Sequence, residues 1–200
     1  MRLIRSVLWY SPVLPSMERC SFLEGNNQKR LEGTVLTLMS AGPAEIRYVV
    51  TCSAQWRTRR CTVHIECAGA TKRIDLEVNN QGAWLRNGMQ VDEFEGISDV
   101  DLGFSPSTNT LPVRRLALEM GQVARIPVVW LRFPELDIFR TEQVYTREKG
   151  NAYRFETGAG DFRTRLEVDE SGIITRYGNI WRELRTSEEK KIRSEIVLPR

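Results

Sequence analysis

The chain contains little of what catalytic and metal sites are usually built from. His64 is the one histidine in 200 residues, so a serine or cysteine nucleophile would depend on it for a base. Its place in an alternating segment puts it on the polar side, with Thr62 and Glu66. The four cysteines have no C-x-x-C spacing, which excludes the usual zinc ligand sets. The sequence therefore predicts no metal and no other cofactor, and it favours a protein that is not an enzyme.

Long apolar runs and a strong net charge are also missing. No uncharged stretch approaches the length of a membrane helix, and Pro12 and Pro15 interrupt the apolar run that could imitate a signal peptide. The net charge of +3 is too small to indicate a nucleic-acid partner. Cys61 and Cys67 share the apolar side of one segment, which indicates buried thiols and suits a reducing compartment. We expect a cytoplasmic protein that does not span a membrane.

What the sequence does have is strand-like patterning along most of its length. An alternation of apolar and polar residues with a period of two is typical of β-strands that bury one face. Strands are predicted at 45–52, 61–67, 73–78, 124–133, 152–157, 162–168 and 173–177. Short connections between the last three predict an antiparallel meander. Pro127 removes one backbone donor, so its strand is predicted to lie at an edge or to contain a bulge.

These strands predict an all-β fold with a single strongly curved antiparallel sheet. A one-layer sheet with a polar outer face must bury its inner face, so with few helices to cover it the sheet must curl. The helix candidates are 113–119, which could also be a bent strand, and 187–196. We predict one curved-sheet domain at 1–185 and a C-terminal tail at 186–200. The pattern leaves open whether the interior is filled.

Residues 99–116 are the most informative stretch of the chain. Asp99 and Asp101 lie on one face of a short strand, because strand side chains alternate. A run of uncharged hydrogen-bonding residues follows, and Arg114 and Arg115 close the stretch. This mixture suits the polar head of a hydroxyl-rich ligand. It equally suits a buried network whose polar groups satisfy one another.

This stretch resembles the signature of a bacterial family that is named for glycolipid binding and has no established activity. The family pattern D-[IV]-D-[IL]-x-x-[ST]-P-x-[ST]-N-T-L-P-[IV]-R-R-L fits residues 99–116. Further similarity occurs at 31–33, 56–59, 82–84, 143–145, 153–156, 168–172 and 181–182. One departure is Ser107, where many relatives are expected to have Phe. The resemblance implies a half-barrel similar to the bacterial lipoprotein carriers, in which a curved antiparallel sheet encloses an apolar cavity.

The acids and arginines of this stretch are candidate ligand-binding residues. Asp99 and Asp101 would be about 6.5–7 Å apart along the strand, a separation that also suits two carboxylates acting as acid and base. Alternatively, they form salt bridges with Arg114 and Arg115, because buried charges need partners.

Uncharged and aromatic residues complete the candidate ligand-binding set. Thr108 and Asn109 could bind sugar hydroxyls, or they could hydrogen-bond the local backbone in a turn. Trp56 and Arg57 could stack on a sugar face and hold an anion. The alternative for this pair is a core tryptophan beside an exposed arginine.

Three functions fit these residues. The first is binding of an amphipathic small molecule, with a glycolipid as its expected class, inside the curved sheet. The second is a small-molecule enzyme that uses Asp99 or Asp101 as acid or base, and the third is a ligand-free protein that binds a partner. For binding we expect an apolar pocket of roughly 300–1,000 Å³, because the predicted helices are too few to fill the interior. Thr108, Asn109 and Arg114 should lie near its opening, with tryptophan on its wall.

Overall fold

Residues 1–158 and 160–185 are described by the computed structural model of the chain. They form fifteen β-strands, one α-helix and two 3₁₀ turns. The strands are β1 (Arg2–Tyr10), β2 (Met17–Gly25), β3 (Gln28–Met39), β4 (Gly42–Ser53), β5 (Thr58–Cys67), β6 (Ala70–Val78), β7 (Trp84–Arg86), β8 (Met89–Gln90), β9 (Asp99–Leu102), β10 (Val123–Leu131), β11 (Ile138–Glu148), β12 (Ala152–Thr157), β13 (Arg163–Val168), β14 (Ile174–Tyr177) and β15 (Trp181–Glu183). The helix α1 is Thr110–Leu116, and the 3₁₀ turns are Asp92–Phe94 and Ser107–Asn109.

All fifteen of these strands belong to one open sheet. Its order is β8-β7-β6-β5-β4-β3-β2-β1-β15-β14-β13-β12-β11-β10-β9, so two meanders meet where β1 pairs with β15. The neighbouring pairs are antiparallel except β9 and β10, which are parallel. A parallel pair requires a crossover connection, and here that connection contains α1. The strong curvature and the open edges confirm the predicted all-β half-barrel.

The alternation read from the sequence builds the inner face of the sheet. In β13, Leu166 and Val168 are buried, whereas Arg163 and Arg165 are exposed. His64 is likewise exposed on the outer face of β5. The four cysteines carry free thiols, and three of them are fully buried. The described α-helix has seven residues, and none of the described helices is long and apolar enough to cross a membrane.

Several element boundaries differ from the sequence prediction. The strands β1, β2, β3 and β11 are not among those predicted, and the ambiguous segment at 113–119 belongs mainly to α1. Pro127 lies inside β10, but β9 pairs only with Val128–Leu131, so the proline sits where β10 has a neighbour on one side only. The predicted helix at 187–196 and the tail from 186 lie outside the described residues, and the domain boundary at 185 stays a prediction.

The segment 104–113, which we call the plug, fills much of the concave side of the sheet. All ten of its residues are buried, including the 3₁₀ turn and the first half of α1. Its side chains reach Glu18 on β2, Tyr48 on β4 and Tyr145 on β11, so it contacts both meanders. The described helices are few, as expected, but residues 107–113 of the plug are 3₁₀ or α-helical and fill part of the interior, and a cavity remains beside them.

Candidate functional site

The plug is attached to β9, the strand at one edge of the sheet. The Leu102 amide donates to the Thr108 hydroxyl at 3.1 Å, and the Val100 amide donates to the Thr58 hydroxyl at 3.2 Å. The Thr58 amide in turn donates to the Ser98 carbonyl at 2.8 Å, which brings the start of β5 against β9. These bonds place the side chains that follow β9 inside the half-barrel.

A continuous row of hydrogen bonds, the Asp101 network, crosses the interior from β9 to the plug. The Asp101 carboxylate accepts from the Thr108 hydroxyl at 3.0 Å and from the Gln143 amide at 2.7 Å. The Tyr145 hydroxyl donates to Gln143 Oε1 at 2.9 Å and accepts from the Asn109 amide at 2.9 Å. Each of these donors faces an acceptor, so the Asp101 network is a buried network of mutually bonded groups, whereas the Thr110 hydroxyl of the plug has no hydrogen-bond partner among the described residues.

Asp101 differs from the rest of this network because it is ionisable. Burial raises its pKa to about 6, against the hydrogen bonds from Thr108 and Gln143, which lower it. Among the described residues it forms no salt bridge, and part of its surface faces a cavity. It is a carboxyl group without a counter-ion that can gain or lose its proton near neutral pH.

Asp99 lies on the same strand but in a separate interaction. Arg115 donates through Nε to Asp99 Oδ1 at 3.2 Å and through a second N–H to Oδ2. The Asp99 side chain is 1% exposed, and burial raises its pKa while Arg115 opposes that shift. The two acids therefore have different partners. Helix α1 brings Arg115 back to Asp99, whereas Asp101 points towards Gln143.

The aromatic-basic pair lies away from the Asp101 network. Trp56 is 8% exposed and adopts a φ of 62°, in the left-handed region. The Arg114 guanidinium lies 5.5 Å from the centroid of its ring and Lys29 Nζ lies 5.7 Å from it. Arg57 donates to the Ser98 hydroxyl. This arrangement braces α1 against the turn before β5 through cation–π contacts.

Removing the Arg115 cation from its buried pair with Asp99 should strongly destabilise the fold. We expect Arg115→Ala to lower the free energy of unfolding by about 3–5 kcal/mol, because it leaves the Asp99 carboxylate buried and unpaired. Urea unfolding near neutral pH measures this loss. Arg114→Ala is the matched control, since it removes only the contact with Trp56 and should cost about 1 kcal/mol or less. Equal losses for the two neighbours would contradict this role of the pair.

A cavity of about 320 Å³ opens beside the Asp101 network. Five of its lining residues are aromatic, and the others are mostly small or uncharged. The lining residues are Asp101, Leu102, Gly103, Ser105, Pro106, Asn109, Trp130, Thr141, Gln143, Phe155, Thr157, Phe162, Tyr177, Ile180 and Trp181. Asp101 is the one charged member of this set. The volume falls within the predicted range, and Trp130 and Trp181 lie on the wall.

The predicted site residues divide between the cavity and the surrounding framework. Asp101 and Asn109 line the cavity, whereas the other six predicted ligand-binding residues do not: these are Asp99, Thr108, Arg114, Arg115, Trp56 and Arg57. Sequence reasoning did not propose Gln143 as a site residue, although it noted the similarity at 143–145. Its neighbours Val144 and Tyr145 are both buried, so the alternation that would mark an inward side chain is weak there.

A second buried acid, Glu18, was missed completely. It is 0% exposed and accepts hydrogen bonds from the Tyr48 hydroxyl and, at 2.7 Å, from the Ser105 hydroxyl. The Tyr48 hydroxyl is also 2.6 Å from Ser107 Oγ, so the plug is tied to β2 and β4. Burial raises the pKa of Glu18 to about 8. One feature of the sequence could have indicated its burial. Glu18 and Cys20 are two residues apart on one strand and so share a face, and the Cys20 thiol is also buried.

Gly33 makes the contact between Tyr48 and Glu18 possible. On β3, Gly33 pairs with Tyr48 of β4 on one side and with Cys20 of β2 on the other. The Tyr48 ring lies across Gly33, in the space that a Cβ at this position would need. The absence of a side chain therefore lets a residue of β4 reach over β3 to a carboxyl group on β2.

Comparisons with known proteins agree with this architecture. The chain is similar to the crystal structure of a DUF1089 family protein from Pseudomonas aeruginosa, with a TM-score of 0.76 and 28% identity, covering 88% of this chain and 95% of that one. A comparison with curated proteins finds no match. A family model described as "Putative glycolipid-binding" matches residues 6–183. Because this match covers most of the chain, including β9, the plug and all the residues that line the cavity, the chain belongs to the family so described.

Proposed function

We propose that the cavity binds the uncharged, hydroxyl-bearing head of an amphipathic molecule of the glycolipid class. The observation that carries this proposal is the composition of the cavity wall, where Asp101, Asn109 and Gln143 face a space bounded by Trp130 and Trp181. Indole faces stack on the apolar faces of sugar rings, while carboxylates and amides hydrogen-bond to hydroxyl groups. The family name points to the same class of ligand.

The charge and volume of the cavity narrow the ligand further. Among the described residues Asp101 is the one charged residue on the cavity wall, so an anionic head would meet a carboxylate and no compensating cation from that part of the chain. A volume of about 320 Å³ lies at the low end of small-molecule sites, which suits a single head or short chain and not a whole lipid. The head therefore enters the cavity, and the longer chains lie outside it.

The remaining predicted site residues support the cavity without touching the ligand. Thr108 holds the Asp101 carboxylate, and Asp99 with Arg115 fixes α1 behind the plug. Arg114 with Trp56 braces the same helix from outside. We also place the protein in the cytoplasm, as its free and mostly buried thiols suit a reducing compartment.

Calorimetric titration with short-chain alkyl glucosides tests the proposal. We expect saturable binding at concentrations below micelle formation, and weaker binding of alkyl sulfates of the same chain length. Thr141→Phe places a ring in the cavity and should abolish binding, whereas Thr62→Phe, on the outer face of β5, is the matched control and should retain it. Absence of saturation, or equal affinity of the two variants, would refute binding in the cavity.

The enzyme alternative has one observation in its favour. Burial raises the pKa of Asp101 to about 6, which suits a group that exchanges protons at the wall of a cavity. Asp99 is held by Arg115 and does not line the cavity, so a two-carboxylate mechanism has no support in the geometry. Mass spectra of the bound glycoside taken over time distinguish the two functions, because binding alone leaves its mass unchanged.

A further inference from the structure

The outer face of the first three strands carries a cluster of exposed aliphatic side chains. We call this cluster the apolar patch. Its members are Leu8 (38% exposed), Val13 (61%), Leu14 (47%), Met17 (44%), Leu36 (57%) and Leu38 (56%). Single exposed apolar residues need no explanation, but a contiguous group marks an interaction surface.

The strand register shows that the four members of the patch on the strands are continuous, and Val13 and Leu14 lie in the loop that joins β1 and β2. Met17 of β2 lies directly between Tyr10 of β1 and Leu36 of β3. Directly opposed side chains on one face of a sheet are close enough to touch, and residues two apart on one strand share that face. Leu8 therefore shares this face with Tyr10 on β1, and Leu38 shares it with Leu36 on β3. The patch extends across three strands.

The other two members of the patch, Val13 and Leu14, lie in the hairpin loop 11–16, which hydrogen bonds hold in a fixed conformation. The Leu14 amide donates to the Ser11 hydroxyl at 2.9 Å, and the Ser11 amide donates to the Ser16 carbonyl at 2.9 Å. The Ser16 and Thr37 hydroxyl oxygens are 2.5 Å apart, which attaches the loop to β3. Val13 thus projects with Leu14 from an ordered tip, and a fixed apolar tip loses little conformational freedom when it is buried.

Two arginines without a counter-ion border the patch. Arg19 lies opposite Leu8 and Arg182 lies opposite Tyr10, and both are exposed. Within residues 1–158 and 160–185 neither forms an ion pair, whereas the nearby Glu45 is neutralised by Arg47. The patch therefore combines aliphatic side chains, one half-buried tyrosine and two available positive charges.

We propose that the apolar patch docks on the surface of an anionic lipid bilayer. Aliphatic side chains on a fixed tip enter the headgroup region, tyrosine favours that boundary, and unpaired arginines attract acidic lipids. The inference does not depend on the ligand of the cavity. The cavity and the patch lie on opposite faces of the sheet at β15, because Trp181 lines the cavity while the next residue, Arg182, borders the patch.

Sedimentation with vesicles tests this proposal on the full chain. The probes are vesicles of phosphatidylcholine alone and vesicles in which about one quarter is phosphatidylglycerol, at about 0.1 M salt. We expect the protein to sediment with the anionic vesicles and to be released by higher salt. Leu14→Ser combined with Leu36→Ser should lower the bound fraction at least tenfold. Arg19→Gln and Arg182→Gln should each lower the partition coefficient about fivefold.

The control is Met89→Ser combined with Met120→Ser, because these methionines are 72% and 74% exposed and lie outside the patch. This variant should sediment like the wild type. The proposal is overturned if the wild type stays in the supernatant with anionic vesicles, or if the patch variants sediment as well as the control. It is also overturned if the patch variants only convert a dimer into monomers, which would identify the patch as a contact between two copies.

Discussion

The wild-type protein is expected to lose much stability as the pH rises from about 4.5 to about 8, and Glu18→Gln is expected to remove this loss. In the folded protein burial raises the pKa of Glu18 to about 8, whereas its ordinary value is 4.5. The unfolded chain therefore releases this proton first. Stability from this group is complete below pH 4.5 and is lost as the pH rises through 8. The whole shift corresponds to about 4–5 kcal/mol, and a glutamine, which cannot ionise, does not experience it.

The free energy of unfolding, measured by denaturant titration across this pH range, tests the prediction. The difference between the two proteins should grow in favour of Glu18→Gln as the pH rises. Glu66→Gln, at an exposed position on β5, is the matched control and should leave the wild-type profile in place. A difference that stays constant with pH would show that Glu18 is already ionised in the folded state.

Adding one methyl group at Gly33 is expected to cost more than about 4 kcal/mol of stability, a loss that few single substitutions cause. The new Cβ of Gly33→Ala would overlap the ring of Tyr48. The ring has to move, and its movement separates the Tyr48 hydroxyl from Glu18 and from Ser107 of the plug. A buried carboxyl group then keeps fewer hydrogen bonds, and the cavity beside the plug loses its shape.

Thermal and urea unfolding of matched alanine variants measure this effect. Gly25→Ala, at the end of β2, is the control, because its Cβ would meet Met1 and the Gln28 carbonyl oxygen at ordinary distances of 3.5 Å and 3.8 Å. In a Tyr48→Leu background, Gly33→Ala should cost much less, since the ring that it overlaps is gone. A loss of the same size in both backgrounds would assign the effect to the β3 backbone.

Four strands of the C-terminal meander, β10, β12, β13 and β14, could be predicted because their evidence is local. Leu166 and Val168 alternate with arginines, and glycines mark the connections on both sides. In β1 and β2 the same alternation exists, but Glu18 occupies an inward position, where a carboxylate is not expected. A sequence pattern predicts which face of a sheet a side chain lies on only when the polarity of that side chain suits the face.

The burial of the plug could not be predicted for a different reason. Thr108 and Asn109 have the composition of an exposed turn, and their burial depends on partners far along the chain, such as Tyr145. The residue types fit either a ligand site or a buried hydrogen-bonded network, and the structure shows such a network beside a cavity. Asp101 belongs to the network and also faces the cavity.

Thr58 and Thr108, whose hydroxyls accept hydrogen bonds from β9, affect how the protein interacts with other copies of itself. An edge strand normally offers free amides to which a further strand can add, and this is a common route to aggregation. At β9 the Val100 and Leu102 amides are already occupied by the hydroxyls of Thr58 and Thr108. The opposite edge, β8, has only two residues. A sheet of fifteen strands therefore ends in two borders that offer little to an incoming chain.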